Sequence, residues 1–379
     1  LSTHPCEWKI EGVEIKVLPG IFRPGYLRVK SSERLKSTKG FSLAKVVSKT
    51  KWDSVIHLIW HHLNLLDVII QASSARKVLL RFEPDIVHAM RIQNEGYVAA
   101  RAGCHPWLLS VWGSDFVYFA KRFLIHRWLT KKAVRRLDAL AADCRRDIQL
   151  AYDNGLPKHI PARFIPGNGG VNFSIYGPGL PAERRERLIV YPRGIGPYLR
   201  INTLLQALGL LKNRGVFPDT KILLIVPPVI VPSINKIVSS LSLPSQNVIV
   251  KPFMSQESLA TLLKKSAIYV SPSISDGTPN SMLEAMACGA FPVMGNLESL
   301  REWIDHGVNG FLFDPNDSDD LANCLQQALD NVSVRQKAQN INLKIVQDRA
   351  NYAKIMPDVR NFYQYIIDKS HSLDPSKNE

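Results

Sequence analysis

Two doubly wound, Rossmann-like α/β domains facing a central cleft are predicted by three observations. Short apolar runs recur along the whole chain, helical patterns separate them, and one Gly/Pro-rich stretch divides the chain near its middle. In the first half the runs are VEIKVL from Val13, DIVHA from Asp85, LLSVW from Leu108, ALAAD from Ala139 and RFIPG from Arg163. In the second half they are LIVYP from Leu188, KILLIV from Lys221, VIVKPF from Val248, IYVSPS from Ile268, FPVMG from Phe291 and GFLFD from Gly310. Most are continuous rather than alternating, as expected of parallel strands covered by helices on both faces. Segments such as INTLLQALGLLKNRG and SQESLATLLKKS carry the intervening helical period. Repeated β-α alternation of this kind builds a doubly wound sheet.

The chain has 379 residues, which suits two domains better than one. The break falls in PGNGGVNFSIYGPGLP, Pro166 to Pro181, which has no helical period. Residues 1–172 and 173–348 are therefore expected to form the two domains. A cleft between the carboxyl ends of their strands is where such sheets bind ligands.

Composition narrows the function classes. With 45% hydrophobic and 21% charged residues the chain is ordinarily globular, with material for two cores. The formal net charge of +15 attracts anions: phosphorylated small molecules, anionic lipid or nucleic acid. No nucleic-acid-binding signature accompanies the charge, so nucleic acid is not expected as a partner. The five cysteines, Cys6, Cys104, Cys144, Cys288 and Cys324, form no Cys-x-x-Cys pair, which argues for reduced structural thiols in a cytoplasmic protein. No apolar run is long enough to span a bilayer, and no signal peptide is evident. The chain starts at Leu1, at what reads as the end of a first strand, so further natural sequence is expected ahead of it.

The segment SDGTPNSMLEAMACG, Ser275 to Gly289, carries the sharpest chemistry. A strand ends in a short loop containing Gly277, and the loop runs straight into a helix. Asn280 is expected as its N-cap and Gly289 as its left-handed C-cap. Free N–H groups and the dipole at a helix N-terminus favour a phosphate. Asp276 and Glu284 frame this point, and a carboxylate accepts two hydrogen bonds from a vicinal diol. A diphosphate between two sugars fits that arrangement. The competing reading is a capped helix with incidental acids.

An acidic residue, seven residues, then Glu in an E-A-M-A-x-G helix resembles the signature of family 4 retaining glycosyltransferases, which have the GT-B fold. The resemblance implies that Glu284 holds the donor ribose and Asp276 contacts the transferred sugar. It also implies that Gly277, Thr278, Pro279 and Asn280 line the sugar and phosphates. Asp276 stands where Glu is commoner. YPRGIGPYLR from Tyr191 is similar to the family's diphosphate-gripping loop, which makes Arg193 and Arg200 the basic pair, with a spacing two residues longer. Guanidinium groups there would stabilise the leaving diphosphate.

In the first half, PDIVHAMRIQNEGYVAA and LSVWGSDF resemble the acceptor-side strands and loops. His88, Arg91, Trp112 and Asp115 are the residues this places at the cleft, with Trp112 replacing the usual His. IPGNGGVN from Ile165 resembles the interdomain segment. RANYAKIMPDVRNFYQYII resembles a final helix, 349–368, that returns to the N-terminal domain, with 369–379 as a tail. The family's glycine-rich loop after the first strand is absent from HPCEWKIEGVEIKVL.

The resemblance implies transfer of a hexose, with retention, from a nucleotide-diphosphate sugar to a hydroxyl of a carbohydrate or lipid-linked acceptor. No protein nucleophile, cofactor or metal is expected. The alternatives are a sugar-nucleotide epimerase or phosphorylase of the same architecture, or a nucleotide-sugar-binding protein without turnover. Finally, FAKRFLIHRWLTKKAVRRL, 119–137, holds seven Lys/Arg and no acid. It fits a peripheral contact with an anionic membrane at the inner face, or a helix packed on the core with a solvated basic face.

Overall fold

The computed structural model describes residues 12–18, 51–121 and 124–373, with side chains described from residue 65 onward in the first long helix. Two parallel sheets organise the chain. The first has the order β1 (Val87–Ala89), β2 (Trp107–Val111), β3 (Ala139–Ala142), β4 (Ala162–Phe164). Helices α1 (Lys51–Phe82), α2 (Tyr97–Ala102), α3 (Leu124–Val134) and α4 (Arg145–Asp153) accompany it. VEIKVL, expected as a strand, makes only a single bridge at Val17, although Leu18 is buried in the same core. The first sheet therefore shows four strands among the described residues.

α1 was not expected, because apolar residues also lie on the faces away from its buried stripe. Val68, Ala72 and Ala75 face the core at helical spacing, while Leu66, Ile69, Leu80 and Phe82 are exposed. The interior of β2 and β3 is wholly apolar: Leu108, Leu109, Val111, Ala139 and Leu140 are inaccessible to solvent. Each of the larger side chains contributes about 1.5–3 kcal/mol by burial.

The second sheet comprises β5 (Glu186–Tyr191), β6 (Lys221–Val226), β7 (Val248–Pro252), β8 (Ser266–Ser271), β9 (Phe291–Gly295) and β10 (Phe311–Phe313). Its spatial order is β10-β9-β8-β5-β6-β7, parallel throughout. α5 (Ile201–Asn213), α6 (Val231–Ser240), α7 (Gln256–Lys265), α8 (Asn280–Cys288), α9 (Ser318–Asp330) and α10 (Val332–Arg349) complete it, with buried residues on both faces of the sheet. Buried Arg185 ties two helix ends together: it donates to Leu263 O (3.1 Å) and Ser266 O (2.8 Å) at the end of α7, and to Cys288 O (2.6 Å) at the end of α8. Carbonyls left open at a helix C-terminus favour such a cation.

The last helix, α11 (Tyr352–Leu373), lies against the first sheet. Phe362 and Ile366 are buried with Leu108, Ala139 and Ala141. No described helix is long and apolar enough to cross a membrane. Cys104, Cys144, Cys288 and Cys324 are free thiols, and Cys6 lies outside the described residues.

Candidate functional site

β5 and β8 are neighbours, yet the chain leaves β5 toward β6 and β7 and resumes at β8 toward β9 and β10. Ligands bind outside the carboxyl ends of strands at such a reversal. β5 ends at Tyr191 and passes into Pro192-Arg193-Gly194. β8 ends at Ser271 and passes through Ser275–Pro279 into α8. A short ion pair joins the two loops, with Arg193 Nη2 donating to Asp276 Oδ2. Arg193 Nη1 also approaches Ser281 Oγ at 3.4 Å, and its buried Nε has no protein partner. The guanidinium is thus fixed by one acid with a donor left over.

Pro279, not Asn280, occupies the N-cap of α8. Asn280 is the first helical residue, and its Oδ1 instead accepts from the Asn168 amide at 2.9 Å. The side chain is drawn away from its own helix by the interdomain segment. Gly289 closes the helix at φ 85°, a left-handed geometry that suits glycine. Glu284 lies in the second turn beside Tyr176. Burial raises its pKa to about 7, and the Tyr176 hydrogen bond opposes that rise.

The opposite wall comes from the first domain, where β2 ends in the turn Trp112-Gly113-Ser114. Asp115 does not face the cleft. It is fully buried beneath this turn, where its carboxylate accepts from the amides of Trp112 (3.2 Å) and Ile92 (3.4 Å), with Arg91 Nε 3.6 Å away. Burial lifts its pKa to about 6 against the pull of Arg91. Arg91 and Trp112 do line the cleft, with the guanidinium 6.0 Å from the indole centroid.

A cavity of about 370 Å³ lies between the walls, bounded by Arg91, Trp112, Asp143, Arg193, Asp276 and Asn280 among others. A neighbouring cavity of about 310 Å³ shares Trp112, Asp143, Gly167 and Asn168 with it and extends to His88 and Tyr363. His88 is committed on both ring nitrogens, to Ser110 Oγ (2.7 Å) and to the Tyr363 hydroxyl of α11 (2.5 Å). Burial lowers its pKa to about 4, so it is neutral near pH 7.

Arg200 is not brought to the cavity. Its backbone is left-handed, at φ 52°, and its exposed guanidinium reaches Asn316 Oδ1 at 2.5 Å. Tyr198 and Leu199 line the cavity instead, and the Tyr198 ring meets Tyr118 of the first domain at 5.8 Å. Of the donor-loop residues, Thr278 and Asn280 line the cavity, while Gly277 is pressed between the domains.

Contact between the domains is close. A Cβ on Gly113 would fall 1.7 Å from the Gly277 nitrogen, and a Cβ on Gly277 would fall 2.2 Å from Asp143 Oδ1. Asp143, at the end of β3, was not foreseen as a site residue. Its Oδ1 accepts from Gly113 N at 3.4 Å and its Oδ2 from Thr278 N at 3.3 Å, and Thr278 Oγ1 donates to its carbonyl. Nearby, Glu302 of the second domain accepts from the amides of Arg145 (3.0 Å) and Arg146 (3.1 Å), capping α4 of the first. Arg146 reaches Ser299 Oγ (3.1 Å), whose hydroxyl donates to Asp276 O (2.7 Å). Asp143, Cys144 and Asp147 bring potential metal-ligand atoms within 4.8 Å of one another, but Arg146 already supplies positive charge there through its ion pair with Asp147.

Two parallel-sheet domains with a basic residue, an acid and a helix N-terminus at the switch point define a GT-B protein. Residues 179–344 match the family described as "Glycosyl transferases group 1", and residues 59–144 match "Glycosyl transferase 4-like". The group 1 glycosyltransferase match thus falls on the second domain and the glycosyl transferase 4-like match on the first. It is similar to the UDP-Gal:alpha-D-GlcNAc-diphosphoundecaprenol alpha-1,3-galactosyltransferase of Escherichia coli, at 28% identity over 105 residues. That match covers 28% of this chain and spans only 27% of the relative's length. Among solved structures, sucrose-phosphate synthase from Thermosynechococcus elongatus superposes with a TM-score of 0.68 at 19% identity, covering 80% of this chain and 79% of that one. HepE from Anabaena, in complex with UDP and glucose, gives 0.64 at 17% identity, covering 78% and 81%.

Proposed function

We propose that this protein transfers a hexose from a nucleoside-diphosphate sugar to an acceptor hydroxyl with retention of configuration, without a metal. The observation that carries the reading is the Arg193–Asp276 pair at the β5/β8 switch point, beside the N-terminus of α8. Arg193 and the free amides of α8 would take the negative charge that develops on the departing diphosphate. Asp276 holds Arg193 in place and offers its other oxygen to a sugar hydroxyl. The acceptor hydroxyl would enter from the neighbouring cavity and pass its proton to the leaving phosphate as the glycosidic bond forms. Glu284, in its carboxylate form, would hold the ribose diol. HepE was solved with UDP, which makes UDP the first nucleotide to try.

A thermal-shift panel of UDP-, GDP- and ADP-sugars at about pH 8, where Glu284 is ionised, tests the donor site. Saturation at a hundred times Kd stabilises a fold by about 2.7 kcal/mol, a rise of several degrees. One nucleotide class is expected to give that rise and Glu284→Ala to remove it. An unchanged shift in the variant would show that the ribose is held elsewhere.

An acceptor on a lipid carrier suits the surface next to the cleft. Tyr118 and Phe119 lead from the cavity wall into α3, where Leu124 and Trp128 are exposed and Lys132 Nζ lies 3.8 Å from the Trp128 ring centroid. His126, Thr130, Ala133 and Val134 bury the other face, so α3 is anchored to the core and open outward. Phe123 lies outside the described residues. Each basic side chain near an anionic surface contributes about 1 kcal/mol. Replacing Lys121 and Lys132 with Gln should weaken flotation with phosphatidylglycerol-containing vesicles by about 30-fold. If the wild type does not float, the membrane contact is wrong.

A further inference from the structure

Asp143 is the acid that both cavities share, and it touches both domains. Its carboxylate packs against the Gly277 backbone and is held only by two long amide hydrogen bonds, one from Gly113 of its own domain and one from Thr278 of the other. No cation pairs with it among the described residues. The adjacent guanidinium, Arg146, is committed to Asp147 (2.9 and 2.8 Å), Gly113 O (2.8 Å) and Ser299. The charged groups facing it are Asp147 from α4 and Asp276 from the donor loop, both acidic, together with the Arg146 guanidinium, whose donors are taken by those other partners. Burying an unpaired carboxylate beside two others is unfavourable, whereas the neutral acid avoids that penalty.

We propose that Asp143 couples closing of the cleft to the uptake of one proton, and thereby positions the donor loop 276–278 against the Trp112–Gly113 turn. In an open cleft the Asp143 carboxyl meets water and, of the two acids, keeps only Asp147 of its own domain beside it, so it ionises at lower pH than in the closed one. On closing it loses that water and gains the field of Asp276, so it takes a proton. Burial first, then Asp147 and Asp276, push its pKa well above the ordinary value, and the two amides pull the other way. The sign follows. Closure is fully favoured below the open-state pKa and loses about a factor of ten per pH unit between that value and the raised one, then levels off. Asp143 acts here through the loop it holds and is a positioning residue.

The proposal rests on the donor-site reading only where a nucleotide is the probe, so the experiment has two arms. In the first, small-angle scattering of the ligand-free full chain is recorded from about pH 5 to about pH 9 for wild type, Asp143→Asn and Asp143→Ala. Wild type should expand as pH rises. Asp143→Asn, an amide of the same shape that cannot ionise, should keep one radius of gyration throughout. Asp143→Ala, which lacks the clasp, should be expanded at every pH. In the second arm, UDP affinity is measured over the same range. Wild type should weaken by about tenfold per pH unit relative to Asp143→Asn within the window. Parallel profiles for wild type and Asp143→Asn in the scattering arm overturn the proposal. Absence of UDP binding in all three variants overturns the donor reading, while the scattering arm still decides this one.

Discussion

Replacing Arg193 with Ala is expected to lower the transfer rate by about 10²–10³-fold, the loss typical when one preorganised donor to a developing anion is removed. The guanidinium reaches Asp276 and Ser281 and keeps a buried Nε without a protein partner. The variant also leaves Asp276, whose side chain is 15% exposed, without its counter-charge. Removing one partner of a buried ion pair costs about 3–5 kcal/mol, so the fold itself should weaken. The double variant Arg193→Ala/Asp276→Asn separates the effects: it should regain most of the lost melting temperature and remain as inactive as the single one. Transfer of labelled hexose from the best-binding donor into a lipid extract provides the rate. A single variant within tenfold of wild type would remove Arg193 from the mechanism.

Gly113→Ala is expected to abolish transfer while sparing the stability of each domain. The added methyl would lie 1.7 Å from the Gly277 nitrogen and 2.0 Å from the Asp276 carbonyl carbon, both backbone atoms that no rotamer change can move. The three atoms nearest the added methyl all belong to the second domain, so the clash is relieved by parting the domains. Open domains cannot hold donor and acceptor at reacting distance, and misplacement by about 1 Å already costs about 100-fold. The rate should fall by more than that, with the melting temperature within a few degrees of wild type. Full activity in this variant would show that the contact in this structure is not the reacting geometry.

Strands such as β2, β3, β6 and β8 were legible because burial on both faces leaves unbroken apolar runs. The loop from Ser275 to Asn280 was legible because Gly277, the acids and the helix stop at Gly289 lie together in sequence. What the sequence hides is set by tertiary contact. Asp143 looks like the polar end of strand ALAAD, and its role depends on Thr278, 135 residues away. The place of Asp115 beneath its turn is likewise invisible without the amides that converge on it. Arg200 was matched through the resemblance of YPRGIGPYLR to a diphosphate-gripping loop, with a spacing two residues longer, but its left-handed backbone carries it past the cavity to Asn316. The helix α1 escaped notice because exposed apolar residues such as Leu66, Ile69 and Leu80 blur the stripe that it buries.

The cap that Glu302 places on α4 bears on how such proteins can be recombined. The first turn of that helix is completed by a side chain 157 positions away in the other domain. Exchanging either half for that of a similar two-domain protein removes a carboxylate from Arg145 and Arg146 unless the incoming half supplies one at the same place. A chimera of this chain therefore needs matched halves at position 302, even though no substrate is held there.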